Sequence, residues 1–484
     1  MSNRFIIAIA TWAVASATQA TIINVPGDAP SIQGAIDAAS AGDTVLVAAG
    51  TYTGTDNKNL DFGGKDLVLA GKDGAASTVI DCQMNGTGLH LKSGETRASL
   101  VTGFTITGGT GGPFGKGTST GGGGVLLESA SPTIRECIIE NNLVSPEGAG
   151  GGIFMDLESS PLIDRCIIRD NNGVEVGGGL LAIRGSEPTI RDCQINNNRA
   201  VAGGGIALFS SGPGAEISGC DISDNQADAA GGGIVVVKAD GRIDRCVVRN
   251  NVAGFEPQEG FQGGGIVFIQ EAFGTVTRSL IEGNTSSFSG GGIAASQSSV
   301  LVMNACRVKD NHCESFGAGI QLENSQGTIT NCVIDGNRLE SNFGSGGGAV
   351  ATESSVSFEN CTFTGNGGGF LGSDLAGEGQ LTVQNCIARS TGRSTIQFQG
   401  QKTIRYSNVL GGEAGEGNID ADPLFASKAG FDYVLWRNSP SIDSGTGTDD
   451  GLDWCEVHAV YCRFNAQTPD MGAYGGPGNT AWLD

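Results

Sequence analysis

The stretch GGGLLAIRGSEPTIRDCQINNNRAVA, residues 177–202, is followed at once by GGGIALFSSGPGAEISGCDISDNQADAA, residues 203–230. The two read as the same sentence. Each opens on three glycines and an aliphatic residue, then repeats the order aliphatic, two residues, Cys, one residue, aliphatic, two residues, Asn (Ile190, Cys193, Ile195, Asn198; then Ile217, Cys220, Ile222, Asn225). The same order is met at Ile163, Cys166, Ile168, Asn171 and at Ile329, Cys332, Ile334, Asn337, and the glycine blocks recur from Gly121 to Gly346 at a spacing of about 27 residues. Alternating apolar and polar residues mark short strands with one buried face, bounded by turn residues. A period near 27 has room for three such strands and three turns, and none for a helix as well. Coils of that size stack at strand spacing, about 4.8 Å, so that each backbone group pairs with the coil above or below.

Working outward, the chain is expected to be all-β: a single right-handed parallel β-helix solenoid of about ten glycine-punctuated coils, with an N-terminal helical cap and an aromatic C-terminal cap. A solenoid grows by adding coils, so a length of 484 residues does not imply several domains. The 81 glycines follow no Gly-X-Y period, which excludes collagen, and a hydrophobic content of 39% excludes disorder. The expected organisation is a signal peptide over 1–20, the solenoid with its N-terminal cap over 21–410, and a C-terminal cap over 411–484. Arg4, the apolar run Phe5 to Ala17 and the small residues Ala15, Ala17 and Ala20 read as an export signal, which implies a secreted or cell-surface protein. No later run is long and apolar enough for a transmembrane helix. A formal charge of −23 makes nucleic acid a poor partner and keeps a long solenoid soluble.

Repetition turns single residues into ladders. Cys137, Cys166, Cys193, Cys220, Cys246, Cys306, Cys332, Cys361 and Cys386 share one position, with Ser279 in the gap and Phe104 at the start. In-register side chains about 4.8 Å apart suit neither a chain of disulfides nor a tetrahedral metal site, so they are read as buried thiols packing as small hydrophobes. The Asn row (142, 171, 198, 225, 251, 284, 311, 337 and 366) sits at a turn, where Asn tolerates the left-handed conformation and its amide can pair with backbone or the next Asn. Replacing Asn225 by Leu is expected to cost about 1–3 kcal/mol. Nine-fold repetition of the glycine block favours a structural turn over a phosphate cradle. Ser31 to Ala39 reads as a short N-capped helix over the open end of the core, followed by a strand at Thr44 to Val47. Trp436, Trp454, Trp482, Tyr433, Tyr461 and Tyr474 concentrate near the C-terminus, where Cys455 and Cys462 are the natural disulfide pair in an oxidising compartment.

Ile23 to Gly54 (INVPGDAPSIQGAIDAASAGDTVLVAAGTYTG) resembles the opening of bacterial secreted proteins with pectate-lyase-like right-handed β-helices. Asp420 to Phe425 (DADPLF), Ser439 to Asp443 (SPSID) and Pro469 to Gly476 (PDMGAYGG) are similar to their common C-terminal element, and the glycine and Asn repeats are similar to those of polymorphic outer-membrane proteins. The resemblance implies the fold. It does not single out an activity, because this architecture hosts lyases, hydrolases, esterases, epimerases and adhesins. The NTD and GHG motifs of polygalacturonases, the DFIFG-like stretch of pectinesterases and the DPHE motif of alginate epimerases are absent. None of His90, His312 and His458 falls beside a carboxylate pair in the repeat register, so no catalytic residue is assigned and the balance leans away from an enzyme. No cofactor is expected; Asp449, Asp450 and Asp453 could hold Ca2+, although a solvated acidic turn is the simpler reading.

The candidate site lies after the Asn turn. Phe261, Phe288, Phe316, Phe343 and Phe370 recur at 27 or 28 residues, and Phe255 lies in the longest coil's insert. Glu256, Glu259, Glu314 and Glu340 share this edge, with Glu147, Glu175 and Asp228 further along. Such a strip would hold an extracellular polysaccharide or other polymer, with rings for stacking and carboxylates for hydroxyl groups; the plainer expectation is that the rings pin each loop to the core. The strand after each glycine block is apolar on both faces (Val235 and Val237 opposite Ile234 and Val236), which calls either for a partner or for a cover supplied by the chain itself. Polysaccharide binding is the leading expectation; a polysaccharide lyase or hydrolase, and a structural or adhesive solenoid with a protein partner, are the alternatives.

Overall fold

The computed structural model describes residues 20–114, 120–144, 148–254, 263–341, 343–367, 372–392, 394–428, 431–436, 438–442, 444–446 and 469–474. The calls on the signal segment, Glu147, Phe255, Glu256, Glu259, Phe261, Phe370, Asp449, Asp450, Asp453, Cys455, Cys462, Trp454, Tyr461, Trp482 and His458 lie outside the described residues.

One coil can be followed through the repeat that opened the analysis of the sequence. Leu180–Ile183 and Thr189–Arg191 form two strands of one wide sheet, Gln194–Asn196 lies in a second sheet, and Arg199–Ala202 in a third. Each strand pairs in parallel with its equivalent one coil later: Leu180 with Ile206, Ile206 with Ile234, Ile195 with Ile222. Among the described residues the pairings build parallel sheets of 24, 14 and 6 strands, and two short antiparallel hairpins stand apart from them. The solenoid has about 12 turns of about 27 residues, more than the ten expected, because the coils from Thr44 to Thr107 carry no triple glycine. Leu180, Ala182, Ile190, Cys193 and Ile195 point inward and are buried, and their equivalents form one continuous core.

The N-terminal expectation holds: helix α1, Ile32–Ala38, is capped by the Ser31 hydroxyl, which accepts from the Gly34 N–H at 3.2 Å, and a strand follows at Thr44–Val47. The glycine blocks are structural. Gly203 has φ +64°, and a Cβ on Gly205 would sit 2.6 Å from the Gly233 carbonyl and 3.1 Å from the Asn225 amide, so a side chain would push the coils apart.

The Asn row corrects half of its expectation. The asparagines themselves are not left-handed; the residue before each is, as at Asp170 (φ +55°), Asn197 (+55°), Asp224 (+57°) and Gly283 (+63°). What the Asn residues supply is hydrogen bonding. Asn225 Nδ2 donates to the Ile195 carbonyl at 2.8 Å and to Asn251 Oδ1 at 3.0 Å, while its Oδ1 accepts from the N–H and Nδ2 of Asn198, both at 3.0 Å. The pattern runs unbroken from Asn142 to Asn337 and ends at Asn366, which donates to Asp374 Oδ1 at 3.0 Å.

The Cys row also does more than pack. The described cysteines are buried and unpaired with one another. In the row, thiols such as Cys193 accept from the backbone N–H of the preceding coil (Cys166 N–H to Cys193 Sγ, 3.4 Å) and lie against a carbonyl of that same coil (Cys193 Sγ to Ile163 O, 3.6 Å). That explains why hydroxyls replace thiols in the row: Ser279 Oγ accepts from Cys246 N–H and Ser407 Oγ from Cys386 N–H, each at 3.1 Å.

Of the two readings of the outward apolar face, the cover comes from the chain itself. Leu126, Phe154, Leu181, Ala207, Val235, Val267 and Ala294 form a second buried cluster, and Ala149, Val176 and Ala202, just before the glycine blocks, pack on it. Phe114 adds an edge-on ring contact to Phe154, centroids 4.6 Å apart.

Candidate functional site

The six-stranded sheet carries the predicted edge. Its strands, among them Thr285–Ser286, His312–Cys313 and Arg338–Leu339, come directly after the Asn turns, so the ladder fixes where they emerge. Alternation then sorts the residues. Ser286, Cys313 and Leu339 are buried, with Cys313, Leu339 and Ala318 forming a small apolar cluster. Thr285, His312 and Arg338 face out in register, and Ser287, Glu314 and Glu340 follow them into solvent.

The rings sit just beyond. Phe288, Phe316 and Phe343 are 46%, 38% and 88% exposed, which rules out burial under their own loops. Phe288 and Phe316 meet edge to face, centroids 5.8 Å apart and planes at 72°. Their loops are held by the backbone: Ser315 N–H donates to the Phe288 carbonyl at 2.8 Å, and Gly290 N–H to the Phe316 carbonyl at 3.0 Å. Phe343 N–H is turned by the Ser341 hydroxyl at 3.1 Å. The structure therefore brings together Phe288, Phe316, Phe343, Glu314 and Glu340 on one edge. Arg338, which was not singled out, and His312, which was weighed only as a catalytic candidate, join them; the signal was their place immediately after Asn311 and Asn337. Further along the same sheet Arg199 and Asp228 pair at 2.9 Å.

Two clusters elsewhere correct or extend the sequence reading. His90 lies beside one carboxylate, outside the repeat register, with Nε2 2.8 Å from Glu128 Oε2 and both side chains mostly buried. The register hides this, because His90 pairs with Leu126, and Glu128 reaches back from two residues further on. Asp156, fully buried one coil later, holds Arg184. The described part of the C-terminal segment lies along the outside of the fourteen-stranded sheet. Arg307 bonds Asp335 at 2.7 and 3.0 Å and Asp432 at 3.1 Å, and the Tyr433 hydroxyl donates to Asp335 at 3.1 Å. Burial and the Asp335 carboxylate push the Tyr433 phenol up to about 12. Leu435 and Met471 pack on Ile387, and the described Trp436 stays half exposed. Among the described residues no group of three or more His, Cys, Asp or Glu side chains is placed to hold a metal ion. No described helix is long and apolar enough to cross a membrane.

The family described as "right handed beta helix region" matches four overlapping stretches, 44–212, 174–299, 205–373 and 264–443, which together span residues 44–443. The chain belongs to this family of right-handed β-helix proteins. No curated protein matches the sequence significantly. Among solved structures, the right-handed β-helix described here is similar to pectate lyase Pel9A (12% identity over 95% of this chain and 97% of that one, TM-score 0.29). It is also similar to the catalytic domain of a GH87 α-1,3-glucanase (13%, 79% and 70%, TM-score 0.34) and to the A-module of the Azotobacter vinelandii mannuronan C-5 epimerase AlgE4 (12%, 81% and 95%, TM-score 0.31). At such identities and scores the likeness says nothing of chemistry.

Proposed function

We propose that this β-helix is a secreted or cell-surface protein that binds an extended polysaccharide along the edge of its six-stranded sheet. The observation that carries the reading is the exposure of Phe288, Phe316 and Phe343 on successive coils. An aromatic ring left in water costs burial free energy, and three in a line at coil spacing suit the apolar faces of successive sugar rings. Several weak contacts on one chain then add as avidity. Glu314 and Glu340 accept from hydroxyl groups and disfavour polyanions, so a neutral glycan is the favoured ligand; an anionic one would need bridging Ca2+. Affinity electrophoresis through gels containing neutral or anionic polysaccharides tests this. Retardation by a neutral polymer, lost in Phe288→Ala/Phe316→Ala with an unchanged thermal midpoint, is expected. Equal mobility in all gels contradicts it.

A second reading, a lyase or hydrolase, rests on the His90–Glu128 pair, an imidazole oriented by a carboxylate. It predicts release of reducing or unsaturated ends from one of those polysaccharides, abolished in His90→Ala. Absence of any release leaves binding as the whole activity.

A further inference from the structure

The two strands that each coil gives to the wide sheet are separated by a corner in most coils, as at Gln297 and Ser298 (φ +55° and +62°) and Asn324 (φ +46°). In the last coils the corner disappears: Ala349–Glu359 still turns at Glu353 (φ +50°), where its pairing with the next coil shifts, but Leu375–Gln384 and Ile396–Arg405 are straight strands of 10 residues each, paired without a shift. Where cornered coils meet straight ones the surface is left concave, with a cleft of about 440 Å³ running over four coils from Ser298 to Gln380. Three inter-coil steps make it about 14 Å long.

The floor and the walls of this cleft differ. Ser299 and Ser354 are buried, and their hydroxyls are taken up by the backbone N–H groups of Ala272 and Ser325 at 3.2 and 3.0 Å. The exposed lining is Ser298, Asn324, Gln326, Glu353, Ser355 and Gln380: two hydroxyls, three amides and one carboxylate, with no aromatic ring and no cation. An apolar ligand would strand the amides without partners. An anion would face Glu353 with nothing to balance it. Amides and hydroxyls both donate and accept, as each hydroxyl of a sugar does. The volume lies within the range of small-ligand sites, roughly 300–1,000 Å³.

We propose that this cleft is a second carbohydrate site, taking a short neutral oligosaccharide of about two or three rings. It lies at the far end of the strands that begin after the phenylalanine loops (Ile293–Ser296, Ile320–Glu323), so it is loaded separately from the phenylalanine edge and does not depend on it. Titration calorimetry of the whole protein with cellotriose, laminaritriose, maltotriose, mannotriose and trigalacturonate is the test. Binding of at least one neutral trisaccharide is expected. It should weaken by at least about tenfold in the groove-filling Ser355→Trp and in Gln326→Ala/Gln380→Ala, the loss of two hydrogen bonds, and remain in Phe316→Ser. The double alanine variant alters only exposed side chains, so it serves if the tryptophan variant does not fold. No neutral trisaccharide bound at millimolar concentration, preference for trigalacturonate, or binding that survives the groove variants overturns the proposal. Loss of binding in Phe316→Ser alone also overturns it, and leaves the phenylalanine edge standing.

Discussion

Replacing Asn225 by Leu removes four hydrogen bonds at once. The amide no longer donates to the Ile195 carbonyl or to Asn251 Oδ1, and the N–H and Nδ2 of Asn198 lose the acceptor they share. All three asparagines are fully buried, so water cannot take over without opening the coil. At a net value of about 1 kcal/mol per bond, with a further penalty for orphaned donors, the cost is about 3–5 kcal/mol. The sequence alone supported about 1–3 kcal/mol, because it counted one lost partner where the ladder has four. In urea, with a slope near 3 kcal/mol per M, the midpoint should fall by roughly 1 M or more. Gln226→Leu, on the exposed neighbour, should stay within about 0.5 kcal/mol of the parent. Hydrogen exchange should accelerate first in the coils from Asn198 to Asn251, since a solenoid unit feels mainly its neighbours. A midpoint unchanged by Asn225→Leu, or an equal shift from Gln226→Leu, refutes the reasoning.

Three further outcomes follow from the same structure. Burial pushes Asp374 up to about 6, so the folded protein holds a proton between roughly pH 4 and 6 that the unfolded chain has lost; its contribution is greatest below pH 4 and falls as pH rises through 6. The stability of Asp374→Asn relative to the parent should therefore improve by up to about 3 kcal/mol from pH 4 to pH 7 in denaturant titrations, and a gap independent of pH contradicts the assignment. The eleven described cysteines should be silent to a thiol reagent in the native protein and all react after unfolding without reductant; the pairing expected for Cys455 and Cys462 makes thirteen only after reduction, and fewer than eleven at the first step contradicts the free ladder. Arg307→Met leaves Asp335 buried without its guanidinium and should cost about 3–5 kcal/mol, with earlier proteolytic release of the segment after residue 411. Unaltered cleavage there would mean that the segment is held by its other contacts, the apolar ones at Ile387 and the hydrogen bonds at Asn385 and Asn408.

The solenoid was legible in the sequence because each coil repeats the same instructions. Gly203, Ile217, Cys220 and Asn225 name a turn, a core strand, a row and a ladder, and the next coil says it again. Reading failed where an interaction crosses columns instead of following one. The His90–Glu128 pair joins residues two positions out of register, and the cover over the cluster that holds Val235 comes from the segments before the glycine blocks of neighbouring coils. The corner cleft was invisible for a related reason. It arises from the loss of the corner in the coil of Leu375–Gln384, and a missing corner leaves no motif. The left-handed position was misplaced by one residue because Asn is favoured both there and in a hydrogen-bonded row, and composition does not separate the two. The phenylalanine edge was legible in spacing, but its exposure needed the strand pairing that puts Cys313 and Leu339 beneath it.

The central claim is that a glycan lies along the six-stranded edge. Hydrogen exchange followed by mass spectrometry, with and without the polysaccharide that retards the protein most, tests it most directly. The account predicts slowed exchange in peptides covering 285–290, 312–317 and 338–345, with the opposite flank around Val247 to Arg249 unchanged. Protection confined to other surfaces, with these three segments exchanging as in the free protein, would contradict it.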